Sequence, residues 1–92
     1  MTAVAQVRVY AREGCHLCDE ALAEIRTLDL AGTELEIEVL DIDSDDLLLA
    51  RFLERIPVVE VDGDVVSELV FDRASFIEAL KSVADQRAGY PD

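Results

Sequence analysis

The chain has few of the residue types on which several classes of small protein depend. Its 92 residues include two cysteines, two prolines, four glycines and no tryptophan. Two cysteines are too few for a secreted scaffold held by disulfides, so the fold must rest on a hydrophobic core. Apolar residues make up 51% of the chain and charged residues 32%, a composition that is typical of a globular domain and excludes a disordered one.

Basic residues are also scarce. Lys and Arg number 8 against 21 Asp and Glu, which gives a formal net charge of −13. A surface of that sign repels nucleic acid phosphates and anionic lipid headgroups, so we expect neither a nucleic acid nor a membrane partner. The charge is compatible with a basic protein partner, but it is better explained by acidic helix faces that keep a small, apolar-rich monomer soluble.

Long apolar runs are missing as well. No stretch approaches the roughly 20 residues that cross a bilayer. Residues 1–6 show no basic segment followed by an apolar one, so we expect no signal peptide and a cytoplasmic location. Thiols stay reduced in that compartment, where a cysteine pair serves catalysis or metal binding more often than cross-linking.

The apolar pattern predicts a single α/β domain over 1–92, with a core over 5–84 and a frayed tail over 85–92. Alternation predicts strands at 7–10, 35–42, 58–61 and 65–69. Spacings of three and four residues predict helices at 15–28, 47–53 and 73–84. The first helix would carry Leu17 on its buried stripe.

The connections predict the order β-α-β-α-β-β-α, with a mixed four-stranded sheet flanked by three helices. A right-handed crossover makes the first two strands parallel neighbours. Asp62-Gly63 is a strong hairpin signal and adds the last two strands antiparallel. The hydroxyl of Ser44 is expected to cap the second helix, and Asp72 the third.

Cys15-His16-Leu17-Cys18 stands where the first strand gives way to the first helix. In a cytosolic protein with a βαβ pattern, such a C-x-x-C sequence indicates a redox-active dithiol. The spacing brings the second thiol beneath the first, and the unpaired N–H groups of the helix N-terminus stabilise a thiolate on Cys15. We expect Cys15 to attack a substrate disulfide and Cys18 to resolve the mixed disulfide.

The charged neighbours of Cys15 act in opposite directions. His16, as an imidazolium, would lower the pKa of the Cys15 thiol, whereas Glu13, Asp19 and Glu20 would raise it. The direction of the net shift stays open. The alternative for His16 is an exposed histidine with no role.

Arg55-Ile56-Pro57 opens the third predicted strand. Pro57 either ends the preceding helix or forms a cis peptide bond in a tight turn beside the thiols, and its place in the strand order favours the turn. Such a turn would leave the backbone of Ile56 free to pair with an extended substrate segment.

Two other functions are compatible with the same cysteines. The first is a metal or iron–sulfur carrier that shares the pair across a dimer. A structural zinc site needs four ligands, and the chain offers only Cys15, Cys18 and the adjacent His16, so we expect no metal site within one chain. The second is an interaction module whose cysteines have no chemical role.

On these residues the chain resembles the glutaredoxin-like family of the thioredoxin superfamily. The matching segments are Val7–Tyr10, Gly14–Ala21, Ile56–Val59 and the Asp62-Gly63 hairpin, within a similar element order over 5–84. The resemblance implies a thioredoxin-like fold, a cis Pro57 and a buried Cys18. It also implies reduction of disulfides in proteins or small thiols, with a reductase or glutathione as electron donor.

The chain departs from glutaredoxins where those proteins hold glutathione. Glutaredoxins have a Gly-Gly pair and then an acidic residue after the fourth strand, whereas this chain has Ser67 and Glu68, followed by Asp72. Glu68 would repel an anionic tripeptide. Arg12 and Arg55 either meet the carboxylates of the tripeptide or are plain surface arginines. We therefore expect no resident cofactor and weak binding of glutathione.

Overall fold

The computed structural model describes residues 3–28 and 32–88. Its strands and helices follow in the predicted order β-α-β-α-β-β-α. The strands are β1 Ala3–Ala11, β2 Thr33–Asp41, β3 Val58–Val61 and β4 Asp64–Glu68. The helices are α1 His16–Thr27, α2 Asp46–Phe52 and α3 Arg73–Ala88, with a 3₁₀ turn at Ile42–Ser44 before α2.

The strands form one mixed sheet in the order β2-β1-β3-β4. β1 pairs parallel with β2 and antiparallel with β3, and β3 pairs antiparallel with β4. The predicted sheet is therefore confirmed. These directions bring the end of β1, the start of β3 and the end of β4 to one end of the sheet, which we call the upper end. There Tyr10 lies opposite Val58, and Val58 opposite Glu68.

Apolar side chains fill both faces of the sheet and hold the helices against it. The cluster beneath α1 and α3 includes Val7, Val9, Cys18, Ile25, Phe76 and Leu80. A smaller cluster beneath α2 joins Tyr10, Ile42, Phe52 and Val58. The Tyr10 and Phe52 rings stack with centroids 4.3 Å apart. Full burial of a side chain such as Phe52 contributes about 1.5–3 kcal/mol to stability.

The hairpin between β3 and β4 has the predicted turn. Asp62 and Gly63 have φ angles of 50° and 90°, and a two-residue turn with positive φ at both positions is of type I′. Between Val59 and Glu60 the register with β4 shifts, because β4 carries one extra residue in a β-bulge. Every residue of β4 after the bulge is therefore displaced by one relative to a regular hairpin.

One of the two expected helix caps differs from the structure, and the other is confirmed. The cap of α2 is Asp45, whose Oδ1 accepts the N–H of Leu47 at 2.8 Å. The Ser44 hydroxyl donates instead to the carbonyl of Asp41, so the predicted hydroxyl cap is wrong. Asp72 caps α3, as expected, and accepts the N–H of Ser75 at 3.1 Å.

Two further expectations, one about α1 and one about α3, differ from the structure. Leu17 is 46% exposed, because the buried stripe of α1 runs through Cys18, Ala21 and Ile25 instead. The backbone of α3 is helical to Ala88, beyond the predicted end at residue 84, and the fraying of 85–92 stays a prediction. Residues 89–92 of that predicted tail lie outside the described residues. Within 3–28 and 32–88, no helix is long and apolar enough to cross a membrane.

Candidate active site

A tight turn joins β1 to α1 and places the cysteine pair. The carbonyl of Arg12 accepts the N–H of Cys15 at 3.3 Å, and Gly14 between them has a φ of 83°. A positive φ at the third position of a turn is typical of type II, which favours glycine there. The turn therefore delivers Cys15 to the position immediately before the first residue of α1.

The two cysteines differ in exposure. Cys15 is the N-cap residue of α1 and half-buried, whereas Cys18, on the first turn, is 1% exposed. Their sulfurs are joined in a disulfide, with the Cα atoms 5.2 Å apart. The Sγ of Cys15 also accepts the backbone N–H of Cys18 at 3.1 Å. Solvent can therefore reach one sulfur, while the other lies in the core.

This geometry suits a thiolate at Cys15. The N–H of Cys18 is one of the donors that the first turn of a helix leaves without a carbonyl partner. In the reduced protein the same donor would stabilise a negative charge on the Cys15 sulfur, and a thiolate is the nucleophile in disulfide exchange. The hydrogen bond from the Cys18 N–H to the Cys15 sulfur thus caps α1 and would also stabilise the thiolate.

His16 points away from the cysteine pair. Its side chain is 86% exposed, and its Nε2 lies 2.9 Å from Oε2 of Glu20, one turn along α1. The structure therefore pairs His16 with a carboxylate on the outer surface of the helix. An influence of His16 on Cys15 stays a prediction and would act through charge alone.

Pro57 lies at the upper end of the sheet, beside the end of β1. The Ile56–Pro57 peptide bond is cis, and the Pro57 side chain is fully buried. The N–H of Ile56 donates to the carbonyl of Phe52 at 3.1 Å, so the expectation of an entirely free Ile56 backbone is wrong. The last turn of α2 takes that donor. Within the described residues, no backbone donor reaches the Ile56 carbonyl, which stays available as an acceptor.

The chain between β4 and α3 turns back beside Pro57. Leu69 has a φ of 66°, and its N–H donates to the carbonyls of Arg55 at 2.9 Å and Pro57 at 3.1 Å. The sequence comparison places the glycine positions at Ser67 and Glu68, but the glycine-like conformation is at Leu69. The two expected positions, Ser67 and Glu68, are instead the last two residues of β4.

Both arginines expected near a ligand are engaged with carboxylates of the chain. Arg12 contacts both carboxylate oxygens of Asp43, at 3.2 Å from Nε and 3.0 Å from Nη2. Arg55 forms a two-fold pair with Glu68, in which Nε lies 3.1 Å from Oε1. This hydrogen bonding lowers the pKa of the Glu68 carboxyl. The Glu68 charge is therefore balanced, and neither arginine is without a partner.

The described residues contain no cluster of three or more His, Cys, Asp or Glu side chains that could hold a metal ion. Cys15 and Cys18 have no third potential ligand beside them in this part of the chain.

Comparison with known proteins agrees with this geometry. The model of the Glutaredoxin-like domain (DUF836) matches residues 6–83. The chain belongs to this family. Among solved structures, the glutaredoxin-like chain is similar to protein Ne2328 of Nitrosomonas europaea, determined by solution NMR. The identity is 31% and the TM-score 0.71, over 83% of this chain and 91% of that one.

A second similar structure is the X-ray structure of a structural genomics target protein from X. campestris. It is 29% identical, with a TM-score of 0.61, over 83% of this chain and 96% of that chain. No curated protein matches the sequence significantly. The glutaredoxin-like domain, its thioredoxin-like fold and its bonded cysteine pair together fit a thiol redox role.

Proposed function

We propose that this glutaredoxin-like protein is a dithiol oxidoreductase that reduces disulfides through Cys15 and Cys18. The observation that carries the proposal is the unequal exposure of the two sulfurs at the start of α1. Cys15 is accessible and accepts a helix N–H, whereas Cys18 lies beneath it in the core. Cys15 is thus suited to attack a substrate, and Cys18 to attack only Cys15.

The reaction proceeds in two exchanges. The Cys15 thiolate attacks one sulfur of the substrate disulfide, so that a mixed disulfide forms and the other substrate sulfur leaves as a thiolate. The Cys18 thiolate then attacks the Cys15 sulfur, which forms the Cys15–Cys18 disulfide and releases the second substrate sulfur. Two electrons pass to the substrate, and two protons, from the dithiol or from solvent, complete its thiols.

The return to the dithiol needs an external thiol donor. A reductase with its own dithiol, or two molecules of glutathione, would supply the two electrons. We propose that the protein works in the cytoplasm, because a reducing compartment maintains such donors. We also propose that it acts as a monomer, since Cys15 and Cys18 alone complete the exchange.

Serine substitutions at the two cysteines test the proposal. Cys15→Ser should abolish reduction of a peptide disulfide, because no accessible thiolate remains. Cys18→Ser should accumulate a mixed disulfide on Cys15, visible as the added mass of the peptide half. Ser82→Ala, on the exposed surface of α3, serves as the control and should react like the wild type.

Two results would contradict the proposal. One is undiminished reduction by Cys15→Ser. The other is a mixed disulfide that forms on Cys18 in the Cys15→Ser variant at the rate expected for Cys15. Iron or zinc that copurifies at one ion per two chains, together with no exchange activity, would favour the carrier function instead.

A further inference from the structure

Three exposed apolar side chains belong to the two segments that leave the upper end of the sheet, the start of α1 and the chain after β4. Leu17, on the first turn of α1 next to Cys18, is 46% exposed, Leu69 is 51% exposed and Val70 is 69% exposed. The sheet register places the segments that carry them at the same end of the sheet, because β1 ends beside the start of β3, which in turn starts beside the end of β4. We call Leu17, Leu69 and Val70 the apolar rim.

The backbone at Leu69 is held in an unfavourable conformation. Its φ of 66° is in the left-handed region, which a leucine rarely adopts and a glycine adopts freely. Hydrogen bonds from its N–H to the carbonyls of Arg55 and Pro57 hold it there. Such outliers cluster at functional sites, where the surrounding structure maintains them. Here the result is a leucine side chain that is half exposed to solvent at the upper end of the sheet, where β1 leads into the cysteine turn.

The same corner has little to offer a carboxylate. The N–H of Leu69 is taken by two carbonyls, and the N–H of Val70 donates to the carbonyl of Glu68 at 2.7 Å. Arg55, whose carbonyl accepts the Leu69 N–H, is already paired with Glu68 through its guanidinium. Glutathione disulfide is anionic at neutral pH, and the protein carries a net charge of −13. The N–H groups of Leu69 and Val70 and the Arg55 guanidinium therefore give a γ-glutamyl carboxylate neither a free donor nor an unpaired positive charge, while Leu69 and Val70 provide apolar contact.

We propose that the apolar rim recognises an apolar side chain next to the cysteine of an extended protein disulfide segment, and selects such substrates over glutathione disulfide. This inference rests on the proposed oxidoreductase function. The Ile56 carbonyl would accept one backbone N–H of the segment. Alternate side chains of an extended segment point the same way, so one of them would lie across Leu69 and Val70.

Single-turnover exchange with matched substrates tests the inference. The substrates are two hexapeptides that differ only in having Leu or Ser on each side of one cysteine, and glutathione. Each is used as its mixed disulfide with the chromogenic 2-nitro-5-thiobenzoate, whose release by the reduced protein is measured. We expect the Leu peptide to react roughly tenfold faster than the Ser peptide, from burial of one apolar side chain, and faster still than glutathione.

Rim variants should remove this preference without affecting the chemistry. Leu69→Asn keeps a residue type that tolerates the left-handed region but removes the apolar surface. Val70→Ser leaves the Leu69 backbone unchanged. Each should reduce the preference to roughly threefold or less, through a slower reaction of the Leu peptide alone. Val65→Ser is the matched control, since Val65 is 44% exposed but lies at the opposite end of β4.

The outcomes separate the two proposals. Release by the wild type that is no faster than by Cys15→Ser, for every substrate, would contradict the oxidoreductase function. Efficient release without a preference for the Leu peptide, or a preference lost equally in Val65→Ser, would overturn the rim while leaving the function intact. Fastest release from the glutathione derivative would overturn it too. If Leu69→Asn does not fold, Val70→Ser decides the result by the same criteria.

Discussion

Two corners meet at the upper end of the sheet, and each contains one residue with a positive φ. In the β1–α1 turn this residue is Gly14, at 83°, and in the β4–α3 corner it is Leu69, at 66°. A Cβ at Gly14 would meet nothing within 4 Å, so the glycine serves only the backbone conformation. Leu69 adopts the conformation despite its side chain, through hydrogen bonds to Arg55 and Pro57.

The difference shows that the local sequence sets the backbone conformation of the first corner, whereas tertiary contacts set that of the second. The turn before Cys15 has the residue that its conformation favours, so sequence and backbone agree there. At Leu69 they conflict, and the tertiary hydrogen bonds prevail. Conflicts of this kind are expected where a protein uses a strained residue for function. The first corner presents the sulfur proposed to react, and the second presents the surface proposed to select the substrate.

The largest expected effect concerns the sulfur that the first corner presents. In the reduced protein, Cys15 should react with iodoacetamide more than about tenfold faster than Cys18, because it is accessible and its thiolate accepts a helix N–H. Peptide mapping by mass spectrometry at short reaction times measures the ratio. Under denaturing conditions the two rates should become similar. A faster reaction at Cys18 would mean that the roles are reversed.

Gly14→Ala tests the backbone requirement of the first corner. An L-residue in the left-handed region costs roughly 1–2 kcal/mol, of which the smaller freedom of alanine in the unfolded chain offsets about 0.5–1 kcal/mol. The free space around Gly14 leaves no steric term to add, so the net loss should be about 1 kcal/mol. Urea unfolding should show a loss of that size in the free energy of unfolding. Glu13→Ala, at the preceding exposed position, should show little change. Equal stability of Gly14→Ala and wild type would mean that the turn does not need a glycine.

Leu69→Gly is the reverse substitution at the second corner and should have a smaller effect of opposite sign. Relief of the left-handed conformation favours the variant, while the greater freedom of glycine in the unfolded chain opposes it by about 0.5–1 kcal/mol. We expect a gain in the free energy of unfolding of roughly 0–1 kcal/mol. Val70→Gly should only lose stability. A clear loss in Leu69→Gly would show that its side chain stabilises the fold.

Glu68→Gln should have the smallest effect, and that effect should depend on pH. The hydrogen bond from Arg55 lowers the pKa of Glu68 below its ordinary value of 4.5. A carboxyl with a lowered folded-state pKa stabilises the protein above pH 4.5 and loses that contribution as the pH falls through its folded-state pKa. Urea unfolding should therefore show a small loss for Glu68→Gln at neutral pH that disappears in acid.

Asp72→Asn provides the comparison for that titration. The pKa of Asp72 is also lowered, by hydrogen bonds from the backbone and hydroxyl of Ser75. Asp72→Asn should therefore show the same pH dependence of the loss in unfolding free energy, while the Arg55–Glu68 pair stays intact. A loss for Glu68→Gln that persists unchanged in acid would mean that the Arg55–Glu68 pair contributes no charge-dependent stability.

Local signals in the sequence determine the cysteine turn, the hairpin and the cap of α3. Gly14, Asp62-Gly63 and Asp72 each act on a backbone only a few residues away, so their conformations can be predicted from neighbouring letters alone. The periodic apolar residues determine the element order, because each period matches one secondary structure. Cys15 and Cys18 could be proposed as a redox pair from local sequence too, because a C-x-x-C spacing between a strand and a helix indicates a dithiol.

Contacts between distant parts of the chain decide the rest. Leu69 has a glycine-like conformation after β4, where its N–H donates to the carbonyls of Arg55 and Pro57. Ion pairs also join residues that are distant in the sequence. Arg55, for example, pairs with Glu68, 13 residues further along the chain. No local pattern encodes such pairings, because they depend on how strands and loops meet at the upper end of the sheet. The sequence alone therefore determines where the sulfur chemistry lies, while the tertiary structure decides which surface surrounds it.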